Sequence, residues 1–115
     1  DYAILTAEIS KATFGMTPSQ YKKYKNIPPK TKANLRDNMT DLELIFSMLG
    51  ERVTTEISQN EQPESMPEHK NVAKRGGTVA GNARKDTEKE LGRSVVSDQN
   101  FLSISEKKVE KKLRK

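Results

Sequence analysis

NLRDNMTDLELIFSMLGERVTTEI, residues Asn34 to Ile57, is the stretch that decides the fold. Thr40 is followed three residues later by Glu43, the pattern of a capping box. In that pattern the Thr hydroxyl accepts the Glu43 backbone N–H and the Glu carboxylate accepts the N–H of Thr40. Leu42, Ile45, Phe46, Leu49, Val53 and Ile57 then recur at steps of three and four, which lays them along one side of a helix. Leu44 and Met48 widen the stripe, so the first half of this helix is expected to be nearly surrounded by protein. Gly50 in its middle costs about 1 kcal/mol relative to Ala, and close approach of a neighbouring helix is the reason to keep it. The stretch carries no catalytic pairing. Its acids Asp37, Asp41, Glu43 and Glu51 are explained by capping and by the positive end of the helix dipole.

Working outward, Asp1 to Phe14 reads as a helix stopped by Gly15. Thr17-Pro18 restarts one, with Thr17 as N-cap and Pro18 in the first turn, and it ends near Asn26. Pro28-Pro29 sets an extended connector, and Asn34 or Asp37 can cap a turn before Asn38-Met39. On the C-terminal side, QNEQPESMPEHK (residues 59–70) loses the helical period, holds two prolines and reads as a flexible linker. A helix returns from Asn71 to Leu91, with Val72, Val79, Ala80, Ala83, Thr87 and Leu91 on one side and Gly92 as its stop. Ser97 to Leu102 suits one further capped turn. The expected organisation is all-α: a helical core domain at 1–58, a linker at 59–70, a Gly/Ala-rich helix and following turn at 71–102, and a charged, disordered or frayed tail at 103–115.

The chain has 115 residues, about one domain, with 32% hydrophobic residues against the roughly 45–50% usual for globular domains. It opens without Met directly into an amphipathic pattern, and is read as a fragment of a larger protein. The absence of Cys removes disulfides, thiolate nucleophiles and zinc ribbons together, and agrees with a reducing compartment. No apolar run approaches the ~20 residues of a membrane span, so a cytoplasmic protein without membrane contact is expected. The net charge of +5 is unevenly spread. Residues 1–33 carry six Lys against two acids, and 70–93 carry seven basic against three acidic side chains. Between them, residues 34–69 hold two Arg against eight acids. An acidic middle flanked by basic ends suits contact with a polyanion, although solvated helix faces produce the same distribution.

The segment KRGGTVAGNARK, Lys74 to Lys85, invites a phosphate-loop reading. It fails, because Gly81 is followed by Asn82 rather than by Lys and Ser/Thr, and no strand precedes it. Two readings stay open. Gly77, Ala80, Gly81 and Ala83 place small residues at helical spacing, for close packing of a helix or for assembly of a homo-oligomer. Alternatively the glycines are a hinge before a helix starting at Thr78, with Lys74, Arg75, Arg84 and Lys85 around a nucleic-acid phosphate. YKKYK, Tyr21 to Lys25, interleaves rings and cations as single-strand binders do, but both tyrosines also share one helical face that suits a core. Lys22, Lys23, Lys25, Lys30 and Lys32 are candidates for contact with nucleic acid or an acidic partner. His69 is the sole histidine and lacks companion ligands, so no metal site is expected. No nucleophile, base and orienter come together in the sequence. The expectation is a non-enzyme with no cofactor and no small-molecule substrate, in which Thr40, Glu43, Leu42, Phe46 and Leu49 are structural.

Three stretches, DYAILTAEISKATFGMTPSQYKKYK, NLRDNMTDLELIFSMLGERVTTEI and KRGGTVAGNARKDTEKELGRSVVS, resemble in order and spacing the C-terminal half of the bacterial DNA-damage-inducible protein D family. They are also similar to related phage antirepressor-like proteins that carry a Bro-type N-terminal domain. The resemblance runs from Asp1 to about Leu102 and rests on extended pattern, with no reactive motif. It implies a bacterial SOS-response protein that modulates RecA recombinase filaments or their single-stranded DNA, with a Bro-N domain of the same protein as a further partner. The alternative it implies is an assembly module whose DNA or repressor binding lies in the missing N-terminal domain.

Overall fold

The computed structural model describes residues 2–27 and 35–98, and among these all regular structure is helical. The elements are α1 (Tyr2–Phe14), α2 (Pro18–Tyr24), a 3-10 turn (Leu35–Asn38), α3 (Asp41–Glu61) and α4 (Met66–Leu91). Gly15, at φ 76°, turns the chain out of α1 in the left-handed conformation that favours glycine. Thr17 caps α2 and, with Gln20, completes a capping box. Thr40 and Glu43 do the same for α3, as their spacing requires.

The expected linker at 59–70 is not one. α3 continues to Glu61, where Gln62 closes it in the left-handed conformation at φ 50°. Ser65 then accepts the Glu68 amide and caps α4, with Pro67 in the first turn, where the lack of an N–H costs nothing. Only Gln62 to Ser65 separates the two long helices, which pack antiparallel as one hairpin rather than as separate units. The proposed tail at 103–115 and most of the turn at 97–102 lie outside the described residues.

α1 lies against both members of the hairpin, mainly α4, and glycines set how close it comes. A Cβ on Gly77 would stand 2.6 Å from the Ile9 carbonyl oxygen, and one on Gly81 would stand 2.5 Å from that of Ala12. On the α3 side, a Cβ on Gly76 would press on the Thr54 side chain and lie 2.7 Å from its backbone. Gly50 lies where all three helices meet, its missing Cβ 2.9 Å from Thr13 Oγ1 and 3.5 Å from Ala80 Cβ. The Thr13 hydroxyl donates to the Gly77 carbonyl across the α1–α4 contact, at 3.2 Å. Of the two readings of the glycine segment, close packing is the one observed. The segment is continuous helix, with no hinge at Gly76-Gly77 and no helix start at Thr78.

A second core gathers at the other end of the hairpin: Phe14, Tyr21, Met39, Phe46 and Val95, with Leu42, Leu44 and Leu49 packed against it. Phe14 and Tyr21 meet edge to face at 5.0 Å. The buried line of α3 is Glu43, Phe46 and Gly50, while Ile45 and Met48 are more than half exposed, so the helix is rotated from the expected stripe. Tyr24 is also exposed, and only Tyr21 of the pair is a core ring.

Candidate functional site

The cations divide by residue type. Each arginine of the helices and the 3-10 turn is paired with a carboxylate: Arg36 with Glu51, Arg52 with Glu56, Arg75 with Glu61 and Arg84 with Glu88. Arg75 grips both oxygens of Glu61, at 2.8 and 2.7 Å, and ties the start of α4 to the end of α3. That pairing holds the Glu61 carboxyl below its ordinary value and the Arg75 guanidinium above its own. Arg84 is largely covered; its Nε donates to the Thr13 carbonyl at 2.7 Å and Nη1 to Glu88 at 2.9 Å. Burial raises the Glu88 carboxyl, but the Val95 amide, Arg84 and the Ser94 hydroxyl outweigh it and hold it below the usual range. Arg75 and Arg84, expected at a phosphate, are structural ties.

Lys25 also leaves the candidate set. Its side chain is fully buried and its ammonium donates to Glu43 at 2.8 Å and to the Ser97 carbonyl at 2.9 Å. Glu43 accepts in turn from the Tyr21 hydroxyl and from the backbone N–H groups of Thr40 and Ser97. Burial pushes the Glu43 carboxyl up to about 7, against the Thr40 and Ser97 hydrogen bonds, and brings the Lys25 ammonium down to about 8, against the Asp98 charge. This cluster fastens α2, the start of α3 and the segment after α4 together. Glu43 is therefore more than a cap. Its partners stand 18, 22 and 54 residues away in the chain, and no local pattern announces them.

The lysines remain. Lys11, Lys22, Lys23, Lys70, Lys74, Lys85 and Lys89 have no carboxylate within ion-pairing distance among the described residues. Lys30 and Lys32 lie outside the described residues. At 3.6 residues per turn, Lys70, Lys74, Lys85 and Lys89 fall within about a third of the α4 circumference. They form a row roughly 28 Å long at 1.5 Å per residue. All four are exposed, and Asn71, Thr78 and Gly81 share their sector, with the engaged Glu88 at its edge. Lys11 of α1 joins the row beside Lys74, the two lining one shallow cavity with Glu8, Ala12 and Thr78. Lys22 and Lys23 stand apart on α2. Lys11, Lys70 and Lys89 are additions to the expected set; Lys70 and Lys89 share a helical spacing with Lys74 and Lys85 that the sequence shows, whereas Lys11 is brought beside Lys74 only by the fold.

Gly77, Ala80 and Gly81 are buried within the chain, and Ala83 is half-buried against the core, so these residues pack α4 on α1 and α3. They are not free to form an oligomer surface. Among the described residues no three His, Cys, Asp or Glu side chains gather as a metal-binding group, and no helix is long and apolar enough to cross a membrane. No protein-family model, curated protein or solved structure matches this chain.

Proposed function

We propose that this chain is a non-enzymatic module that binds single-stranded nucleic acid along α4, and that in a bacterial DNA-damage response it acts on RecA recombinase filaments through that strand. The observation that carries the binding is the row of lysines at 70, 74, 85 and 89, joined by Lys11, which have no ion-pair partner among the described residues, while each helical arginine is neutralised by a carboxylate. A phosphate backbone supplies the negative charge that such a row attracts, and lysines with no ion-pair partner among the described residues give up none on binding it. The DNA-damage context is supported by the resemblance of the three sequence stretches. The alternative reading, assembly through the small-residue stripe, loses its surface, because that stripe is occupied by α1 and α3.

Salt dependence tests the reading. Five lysines engaging about five phosphates give a fall of log affinity with log salt near −3.5 for an oligonucleotide. Absence of binding at low salt eliminates direct contact with the strand. A strand-exchange assay with the recombinase, with and without the protein, then asks whether binding alters the filament.

A further inference from the structure

A cavity of about 230 Å³ opens between α1, α2, the 3-10 turn and α3. Its walls mix Ile9, Phe14, Leu35 and Met39 with the hydroxyls of Ser10, Thr13 and Ser47. Lys22 and Arg36 also line it, the latter paired with Glu51. Thr6, Ile9, Arg36 and Glu51 are shared with a larger, more open groove of about 660 Å³ along α1 and α3.

We infer that this cavity receives one unstacked base of the bound single strand, with the adjoining phosphate on Lys22. This rests on the nucleic-acid reading above and specifies a second contact away from the α4 row.

Size is the first reason. The volume falls below the roughly 300–1,000 Å³ of sites that enclose a drug-sized ligand, so a whole nucleotide is not enclosed, while one flat ring with its sugar and phosphate outside fits. Chemistry is the second. Apolar walls with a few placed polar groups match a base, whose faces are apolar and whose edges carry donors and acceptors. The Ser10 hydroxyl donates to the Met16 carbonyl at 2.7 Å, which leaves its oxygen as an acceptor, while Thr13 is fully buried with its hydroxyl donated to Gly77. The Ser47 hydroxyl has no hydrogen-bond partner among the described residues and is available as donor or acceptor. A hydrocarbon ring would use neither the Ser10 nor the Ser47 hydroxyl. Charge is the third reason, since Lys22 is half-buried at this cavity with no ion-pair partner among the described residues, the lining Glu51 being paired with Arg36.

A nuclear magnetic resonance titration with thymidine 5′-monophosphate tests this, with deoxyribose 5-phosphate as the control lacking a base. The expected result is that the nucleotide shifts the amides of Ser10, Thr13 and Ser47, while the control moves only those near lysines. In parallel, Ser47→Leu fills the cavity and lowers oligothymidylate affinity roughly tenfold, as expected for loss of one held base. If the nucleotide moves only amides along α4, the strand is bound but the cavity is not a base site, and this inference is overturned alone. If oligonucleotides fail to bind at low salt, the nucleic-acid reading falls and takes this one with it. An acidic, tryptophan-containing peptide that shifts the Ser47 amide where the nucleotide does not would assign the cavity to a protein partner instead. The titration uses the unmodified chain, so poor folding of the Leu variant leaves the test intact.

Discussion

The two ends of the hairpin are held by opposite means. Where α1, α3 and α4 cross, Gly50, Gly76, Gly77 and Gly81 let the helices approach closely, Gly76 against α3 and Gly77 and Gly81 against α1, and the contact fails if atoms are added. At the other end, Lys25, Glu43 and Tyr21 bridge α2, α3 and the segment after α4, and the contact fails if atoms are removed. The first contact is mainly shape and the second is charge in a dry site. The difference teaches which substitutions each end tolerates and leaves the exposed lysines of α4 free of structural duty.

The largest effect is expected at the glycines. Gly77→Leu/Gly81→Leu places two side chains into the α1 backbone, where the Cβ positions alone stand 2.6 and 2.5 Å from carbonyl oxygens. Overpacking a single site costs about 1–3 kcal/mol and occasionally more, well above the helix-propensity gain of about 1 kcal/mol per glycine replaced. Two such sites should remove a large part of the roughly 5–15 kcal/mol that holds an ordinary domain and lower the unfolding midpoint steeply. Circular dichroism during heating reads this. A folded monomer released from a former oligomer would instead return the glycines to an interface role.

Next comes the polar cluster. Lys25→Met leaves the Glu43 carboxylate buried beside an apolar chain, and loss of one partner of a buried pair costs about 3–5 kcal/mol. Lys25→Met/Glu43→Gln should recover part of that, since it leaves no unpaired charge and the single amide oxygen still accepts one of the two backbone N–H groups, of Thr40 or of Ser97, that the two carboxylate oxygens hold. Urea titration of the two variants measures the difference. Equal losses would mean that the charges themselves, and not their mutual neutralisation, hold the site.

How much of this was legible in the sequence follows from the same contrast. Capping is local, so Thr40–Glu43 and Thr17-Pro18 announced two helix starts within four residues. The start of α4 was written as plainly in Ser65-Met66-Pro67-Glu68, a cap with proline in the first turn, but the two prolines drew the segment toward a linker. The glycine crossing was readable only as one of two alternatives, because small residues at helical spacing suit close packing while a glycine pair also suits a hinge. Which helix fills the gap was not readable, since α1 lies more than sixty residues away. The burial of Lys25 was hidden for the same reason: its carboxylate and its carbonyl partner come from α3 and from Ser97. Among the candidate cations, the sequence marks charge but not partnership, and partnership is what separates Arg75 and Arg84 from Lys74 and Lys85.

The cluster also sets a pH dependence that the glycine crossing lacks. Glu43 stands at about 7 in the fold against 4.5 ordinarily, so the fold binds its proton more tightly than the open chain does. That contribution is complete below 4.5 and is lost as pH rises through about 7. Lys25 stands at about 8 against 10.5, so its contribution is complete above 10.5 and is lost as pH falls through about 8. Together they place a stability minimum between about 7 and 8. Denaturation midpoints across pH should show that trough in the native chain and not in Lys25→Met/Glu43→Gln. A monotonic curve in the native chain would show that mutual attraction of the pair outweighs its burial.

The smallest change in stability, and the sharpest in function, is expected on the row that neither end employs. Lys74→Glu/Lys85→Glu alters two exposed side chains without ion-pair partners among the described residues, so the unfolding free energy should move by no more than about 0.5 kcal/mol per site. If the row carries phosphates, the same variant loses two of them and sets two like charges against the strand. The salt slope should then drop by about 1.4, from near −3.5 to near −2. Arg84→Gln is the informative counterpart on the same helix. It breaks the ties to Thr13 and Glu88 and should lower stability, yet leave the slope unchanged, because that guanidinium is already committed inside the fold. A slope that follows Arg84 rather than Lys74 and Lys85 would move the nucleic-acid contact to the α1–α4 seam and break the division between structural arginines and binding lysines.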